Sequence, residues 1–117
     1  MEFRGATLHT TNVPRLVDFY SKVLGLRAQG DDTHSAFAEV SLAIWNPGNI
    51  DVNKFSAERF LTLMYQVDDV DQEYERLEHA DIQIEFTSQP TTQPWGVRAF
   101  GFKDPDGNNI DFLAPAE

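Results

Sequence analysis

The sequence predicts an α+β protein of two βαβββ modules, whose strands form a curved mixed sheet around a cavity with the helices on the outside. Three observations predict this class. The order of one strand, one helix and three further strands occurs twice along the chain. Apolar residues recur at helical spacing in two segments, and strand-like segments between turn signals contain β-branched and aromatic residues. A chain of 117 residues suits one compact domain made of two such modules.

The first module covers residues 1–48, and its helix has clear start and stop signals. Asn12 can cap the helix, Pro14 fits its first turn, and Gly25 suits the left-handed conformation that ends helices. The apolar face of this helix consists of Leu16, Phe19, Tyr20, Val23 and Leu24. Residues 26–45 are rich in strand-forming residues and are interrupted by turn signals, which predicts three strands after the helix.

The second module covers residues 60–117 and follows a linker at residues 49–59. It repeats the same order, with a strand at Phe60–Val67 and a helix capped by Asp68. Gln89–Pro94 is predicted to be a loop because it contains two prolines. The three later strands are predicted at Ile82–Phe86, Val97–Phe102 and Asn109–Leu113.

The charge distribution excludes one class of partner and favours another. Nine basic and nineteen acidic residues give a net charge of −10, so a nucleic-acid backbone would be repelled. Residues 1–58 hold seven acids and five bases (−2), whereas residues 59–117 hold twelve acids and four bases (−8). A cationic ligand would be attracted to the second module. The alternative is that the acidity only keeps the protein soluble.

Several kinds of site and location are excluded by residues that the chain lacks. There is no cysteine, so disulfides, thiolate zinc sites and cysteine nucleophiles are excluded. There is no apolar run long enough to span a bilayer and no apolar signal-peptide segment at the N-terminus. We therefore expect a cytoplasmic protein without a membrane partner.

Strand alternation predicts a ligand-binding face. In the first strand of each module, alternate residues are apolar and should cover the helix, while the others form a mixed face. The mixed face predicts a small-molecule cavity, because a purely structural core would be apolar throughout. The alternative is a solvated sheet face without a ligand. The residues of the mixed face are Thr7, His9, Thr62, Met64 and Gln66.

Three sequence motifs resemble a known family. They are Leu16–Tyr20 (LVDFY) and Val23–Leu26 (VLGL) in the first helix region, and Phe102–Phe112 (FKDPDGNNIDF) near the C-terminus. Together they resemble the vicinal oxygen chelate superfamily, which includes glyoxalase I, extradiol dioxygenases and bleomycin-resistance proteins. The resemblance covers nearly the whole chain and implies the paired-module fold. It does not define the reaction, because this superfamily uses one scaffold for unrelated chemistries.

The resemblance also indicates where metal-using members place their ligands, two in each module. A divalent metal needs three or four imidazole or carboxylate ligands, and of the corresponding residues only Asp111 is a good donor. We therefore predict no metal centre and no cofactor. An atypical site built from His9, Glu39 and Asp111 remains an alternative. The corresponding residues are Gly5, Ala43, Thr62 and Asp111.

Metal-free members resembling this chain are best known as binders, namely acidic dimers that sequester a cationic glycopeptide in aromatic-lined grooves. The resemblance therefore implies a homodimer that binds an aromatic or cationic small molecule and has a role in antibiotic resistance. The alternative is a metal-dependent lyase, isomerase or dioxygenase of the same superfamily. A third alternative is a module that acts through protein contacts alone.

Four further residues complete the predicted binding site; no catalytic residue is identifiable. Trp45 and Trp95 could stack on a planar or cationic ligand, although the first could be a core residue and the second a loop anchor. His9 could act as a base or a hydrogen-bond partner. Asp111 could pair with a ligand cation or with Arg98. The predicted ligand-binding residues are Thr7, His9, Trp45, Thr62, Met64, Gln66, Trp95, Arg98 and Asp111.

Overall fold

The computed structural model describes residues 1–54 and 60–116, and it confirms the α+β class. Two compact units, Met1–Phe55 and Ser56–Glu117, each contain one helix and one mixed sheet. Part of the predicted linker, residues 55–59, lies outside the described residues, and Val52–Lys54 forms a short 3-10 helix. Neither α-helix of the described chain has the length and hydrophobicity that crossing a membrane requires.

Unit 1 has the predicted βαβββ order. Its sheet has the order β1-β4-β3-β2, in which β1 and β4 are parallel and the other pairs are antiparallel. A 3-10 helix, Ala38–Val40, separates β3 from β4. The elements are β1 (Ala6–His9), α1 (Val13–Leu24), β2 (Gln29–Gly30), β3 (His34–Phe37) and β4 (Leu42–Trp45).

Helix α1 begins and ends where the sequence predicts. The Asn12 side chain accepts a hydrogen bond of 3.2 Å from the Arg15 amide, and Gly25 adopts the left-handed conformation at φ 67°. Glycine adopts this conformation without the steric cost that a Cβ atom imposes. The apolar face packs against the sheet, which buries Val13, Leu16, Phe19, Tyr20 and Val23.

Unit 2 repeats this order with one additional short strand. Its sheet has the order β5-β9-β8-β6, with β5 and β9 parallel, and β7 also pairs with β8. The elements are β5 (Thr62–Gln66), α2 (Val70–Glu78), β6 (Glu85–Phe86), β7 (Thr91–Thr92), β8 (Val97–Lys103) and β9 (Asn109–Pro115).

Three local predictions in unit 2 are wrong. Helix α2 is capped by Asp69 rather than Asp68, because Asp69 directly precedes the helix and accepts a hydrogen bond of 3.1 Å from the Gln72 amide. The predicted loop at residues 89–94 contains β7, which pairs with β8. Prolines are tolerated here because both lie outside the two paired threonines. The strand predicted from residue 82 begins only at Glu85.

The core of unit 2 is a cluster of aromatic side chains between its sheet and α2. Phe102 and Phe112 meet edge to face with ring centroids 5.2 Å apart, and Phe100 lies 5.6 Å from Phe112. Tyr74 of α2 packs on Phe100 at 5.1 Å. Because these rings are on one face of β8 and β9, the residues that alternate with them lie on the opposite face.

Candidate functional site

The predicted separation of strand faces is confirmed in both units. In β1, Leu8 is buried while Thr7 and His9 are exposed. In β5, Leu63 and Tyr65 are partly buried. The three residues of β5 that were predicted to form the mixed face are exposed. They are Thr62, Met64 and Gln66.

The open face of unit 1 is the sheet face opposite α1, and it carries a row of three aromatic side chains. Trp45 is in register with His9 of β1 on one side and with His34 of β3 on the other. The His9 and Trp45 rings meet edge to face, with centroids 5.2 Å apart and an interplanar angle of 84°. Trp45 is 38% exposed and therefore lies on this face rather than in the core.

The open face of unit 2 is the sheet face opposite α2, and Gly101 lies near its centre. Gly101 is in register with Asp111, which is in register with Met64. A Cβ atom at Gly101 would lie 2.6 Å from Thr87 Oγ1, 2.9 Å from Asp111 Oδ1 and 3.3 Å from Ser88 Oγ. Three side-chain oxygens therefore converge on one point above a residue that has no side chain.

Backbone hydrogen bonds to Gly101 hold the two hydroxyl residues in place. The Gly101 carbonyl accepts hydrogen bonds from the Thr87 amide at 2.9 Å and the Ser88 amide at 3.3 Å. The Gly101 amide donates to Ser88 Oγ at 2.8 Å. The segment that follows β6 is thus fixed across β8, and its hydroxyls are positioned beside Asp111.

Asp111 is a partly buried carboxylate without an ion-pair partner among the residues that the structure describes. Within residues 1–54 and 60–116 it makes no hydrogen bond or ion pair. Burial raises the pKa of Asp111 above its ordinary value because desolvation disfavours the charged form. Lys103 lies on the same face two residues from Gly101 along β8, and Glu85 is in register with Lys103.

Arg98 lies on the helix side of the sheet, so the alternative in which it pairs with Asp111 is wrong. It alternates with Gly101 along β8, and it forms two hydrogen bonds of 2.8 Å with the Asp71 carboxylate of α2. It also donates to Thr92 Oγ1 at 3.1 Å. The hydrogen bonds from Arg98 lower the pKa of Asp71. Arg98 therefore joins β8 to α2 and does not contribute to the open face of unit 2.

Trp95 lies between β7 and β8 and is 73% exposed. The adjacent Gly96 has a φ of 92°, which a side chain would disfavour, and its amide donates to the Gln93 carbonyl at 3.1 Å. Trp95 is therefore presented to solvent by a tight turn. It has no ring contact among the described residues, unlike Trp45.

A comparison with family models identifies the chain. The model of the Glyoxalase/Bleomycin resistance protein/Dioxygenase superfamily matches residues 5–112. The chain belongs to this superfamily. The resemblance drawn from the first helix and the C-terminal motif is thereby confirmed, as is the fold that it implies.

Solved structures agree with the superfamily fold. A conserved domain protein is 24% identical with a TM-score of 0.81, covering 98% of this chain and 99% of that one. A protein of unknown function from Agrobacterium tumefaciens str. C58 is 26% identical with a TM-score of 0.78, covering 97% and 93%. A glyoxalase/bleomycin resistance protein/dioxygenase from Nocardioides is 24% identical with a TM-score of 0.79, covering 100% and 85%. No curated protein matches the chain.

The residues at the expected metal positions of this superfamily do not fit a divalent metal. Gly5 and Ala43 have no side-chain donor, and a Cβ atom at Gly5 would lie 2.0 Å from the Ser41 carbonyl oxygen. Glu39, part of the predicted atypical set, lies in a 3-10 helix rather than on a strand. Among the residues that the structure describes, no three His, Asp or Glu side chains form a group able to hold a metal ion.

Thr87, Ser88 and Gly101 of this superfamily member were not predicted as site residues from the sequence. Two signals could have indicated them. An isolated glycine within a strand pattern often marks a close approach of another chain segment. The adjacent hydroxyl residues directly follow the predicted strand at 82–86, but their position across β8 depends on a long-range pairing that local sequence does not specify.

Proposed function

We propose that this protein is a metal-independent, small-molecule binding member of the superfamily, which sequesters an aromatic or cationic compound on the open faces of its sheets. The observation that carries the proposal is the exposed Trp45 on the open face of unit 1. It is flanked in register by His9 and His34. An aromatic row on a sheet face that no helix covers is suited to contact a planar ligand.

The geometry around Trp45 supports stacking. His9 contacts the indole edge to face, which restricts its rotation while leaving 38% of the residue exposed. Aromatic contacts contribute about 0.5–1.5 kcal/mol beyond area burial. A cation over an indole contributes about 0.5–2 kcal/mol. A planar cation would gain from both interactions.

The charge of the chain also favours a cationic ligand. Residues 59–117 contain twelve acids and four bases. Asp111 lies on the open face of unit 2 without a partner among the described residues. A surface with excess negative charge raises the local concentration of cations and accelerates their association.

Metal independence is part of the proposal and is supported by the residues at the expected ligand positions. Gly5 cannot be replaced by a donor without a collision with Ser41. Ala43 likewise has no donor atom. The enzymatic alternative, a metal-dependent lyase, isomerase or dioxygenase, would need ligands that these two positions lack. Stoichiometric divalent metal in the purified protein would contradict the proposal.

The proposal extends to the assembly, the location and the role of the protein. We expect a homodimer, because two small modules bury limited surface and closed symmetric pairs are the commonest oligomers. Light scattering on the purified chain would test the homodimer. A cytoplasmic location and a role in resistance to a toxic compound would suit a binder with this charge.

Tryptophan fluorescence tests the binding function, with N-methylquinolinium as the aromatic cation. Tetramethylammonium serves as a cation without a ring, and naphthalenesulfonate as an aromatic anion. We expect saturable quenching by N-methylquinolinium after correction for absorbance. The chain has two tryptophans, so Trp95→Ala is a matched control that should retain the saturable component.

The Trp45→Ala variant separates stacking at Trp45 from collisional quenching. We expect only collisional quenching of its remaining emission, in which the ratio of unquenched to quenched intensity rises linearly with N-methylquinolinium concentration without saturating, because the ring that holds the ligand is absent. Saturable quenching of equal affinity in Trp45→Ala would contradict the proposal. So would the absence of saturable quenching by all three compounds in the wild-type protein.

A further inference from the structure

Gly101 differs from the other glycines of the chain because neighbouring side chains, and not its backbone conformation, favour glycine there. The other six have positive φ angles, a conformation that favours glycine. Gly101 has no such angle, so its backbone conformation does not require glycine. A Cβ atom here would instead collide with Thr87 Oγ1 and Asp111 Oδ1, so these side chains would have to move apart. The missing side chain lets the oxygens approach one another.

The three converging oxygens provide hydrogen-bond acceptors and one negative charge. Ser88 Oγ accepts one hydrogen bond from the Gly101 amide and has a second lone pair available. Thr87 Oγ1 has no partner among the described residues. The Asp111 carboxylate is likewise without one, and burial raises its pKa, as expected for a charge that lacks a counter-ion.

The surroundings indicate what kind of cation fits these acceptors. Calcium takes about six to eight oxygen ligands, and magnesium requires near-ideal octahedral geometry. One carboxylate and two hydroxyls supply only three side chains, so most ligands of either ion would have to be water. Met64, in register with Asp111, is 68% exposed and offers an apolar surface beside the oxygens. A ligand group with several N–H donors and one positive charge matches the three oxygens, and an apolar stem on that group matches Met64.

We propose that the Asp111 carboxylate and the hydroxyls of Thr87 and Ser88, which converge above Gly101, bind a protonated primary amine. Its three N–H donors match the three acceptor groups, and its carbon stem lies against Met64. The amine nitrogen sits outward of the absent Cβ, since that position lies at covalent-bond distance from the Gly101 Cα atom. The inference rests on the proposed function only in taking the ligand to be a small molecule, and it does not involve Trp45.

Residue-resolved NMR titration of the full chain tests this site, with benzylammonium as the probe. We expect amide shifts centred on Thr87, Ser88 and Gly101. Tetramethylammonium carries the same charge without N–H donors and should not produce them. Shifts of equal size and affinity from tetramethylammonium or potassium chloride would overturn the assignment to an amine.

Two variants and a matched control identify the groups responsible. Asp111→Asn removes the charge and should weaken benzylammonium binding by about tenfold or more, as expected for loss of a charge-assisted hydrogen bond. Gly101→Ala keeps the charge but forces the oxygens apart, and it should weaken binding to a similar extent. Asp81→Asn removes an exposed carboxylate elsewhere in unit 2 and should leave the affinity unchanged.

The outcomes separate this site from the proposed stacking at Trp45. If Asp111→Asn retains wild-type affinity, the amine site is refuted whether or not N-methylquinolinium quenches Trp45. If Trp45→Ala retains saturable quenching while the Gly101 shifts persist, the proposed stacking fails and the amine site stands. Were Gly101→Ala to unfold, the comparison of Asp111→Asn with Asp81→Asn would decide.

Discussion

Replacing Asp111 with asparagine is expected to stabilise the protein at neutral pH while it weakens amine binding. The carboxylate is partly buried and has no hydrogen bond or ion pair among the described residues. Burying an unpaired charge costs more than burying a neutral amide of the same shape, and partial exposure of this carboxylate to solvent limits the difference to about 1 kcal/mol. We expect Asp111→Asn to raise the free energy of unfolding by about 1 kcal/mol. The melting temperature should rise by about 4 °C.

The pH dependence follows from the direction of the pKa change. Burial raises the pKa of Asp111 in the folded protein above the ordinary value of 3.8. At pH values between 3.8, the pKa of Asp111 in the unfolded chain, and its higher pKa in the folded protein, the folded state binds more protons than the unfolded state. The free energy of unfolding of the wild type therefore falls as pH rises through this range. Asparagine does not titrate. The advantage of Asp111→Asn should therefore shrink as pH falls through the folded pKa of Asp111, and it should be absent below 3.8.

The difference in free energy of unfolding between Asp111→Asn and the wild type is measured by urea unfolding, followed by far-ultraviolet circular dichroism. The measurement is repeated at several pH values from about 7.5 to about 4. Asp81→Asn removes the same charge from an exposed site and should show neither the gain nor its pH dependence. The reasoning is refuted if Asp111→Asn is less stable than the wild type at neutral pH. A stability difference that does not change with pH would refute it equally, because a desolvated carboxylate must lose its penalty on protonation.

Three further variants test how the fold supports the site. Phe102→Ala should lower the free energy of unfolding by about 3–5 kcal/mol in urea, because it opens a cavity in the aromatic cluster of unit 2. Asn12→Ala should lower it by about 1 kcal/mol through loss of the cap of α1. Arg98→Gln should leave both benzylammonium shifts and N-methylquinolinium quenching unchanged, since Arg98 pairs with Asp71 on the helix side. Its effect on stability should diminish with added salt.

Local sequence signals predicted the parts of the fold that local interactions determine. The cap at Asn12 and the stop at Gly25 both act within one helical turn, so residue type and spacing were sufficient. The alternation in β1 and β5 predicted their exposed residues for the same reason. At the start of α2, Asp68 and Asp69 are adjacent and chemically equivalent, and only the backbone geometry distinguishes the capping residue.

Long-range pairing determined what the sequence could not predict. The small residues beside Arg98 left its facing open, and the register of β8 with β9 pairs Gly101 rather than Arg98 with Asp111, so Arg98 lies on the other face of the sheet. The acceptors at Thr87 and Ser88 lie 13 or more residues from Gly101 along the chain, and they meet it only because this segment runs alongside β8. The candidate site was therefore predicted in part, with Asp111 and Met64 identified and the hydroxyls missed.

The central claim, that this superfamily member recognises a small molecule without a metal, is tested most directly by one titration. The purified chain is treated with a chelator, its metal content is measured, and N-methylquinolinium is titrated while the emission of Trp45 is followed in the Trp95→Ala background. We predict saturable quenching with the same affinity before and after chelation, and no stoichiometric divalent ion. Quenching that disappears on chelation and returns with an added divalent metal would contradict the account.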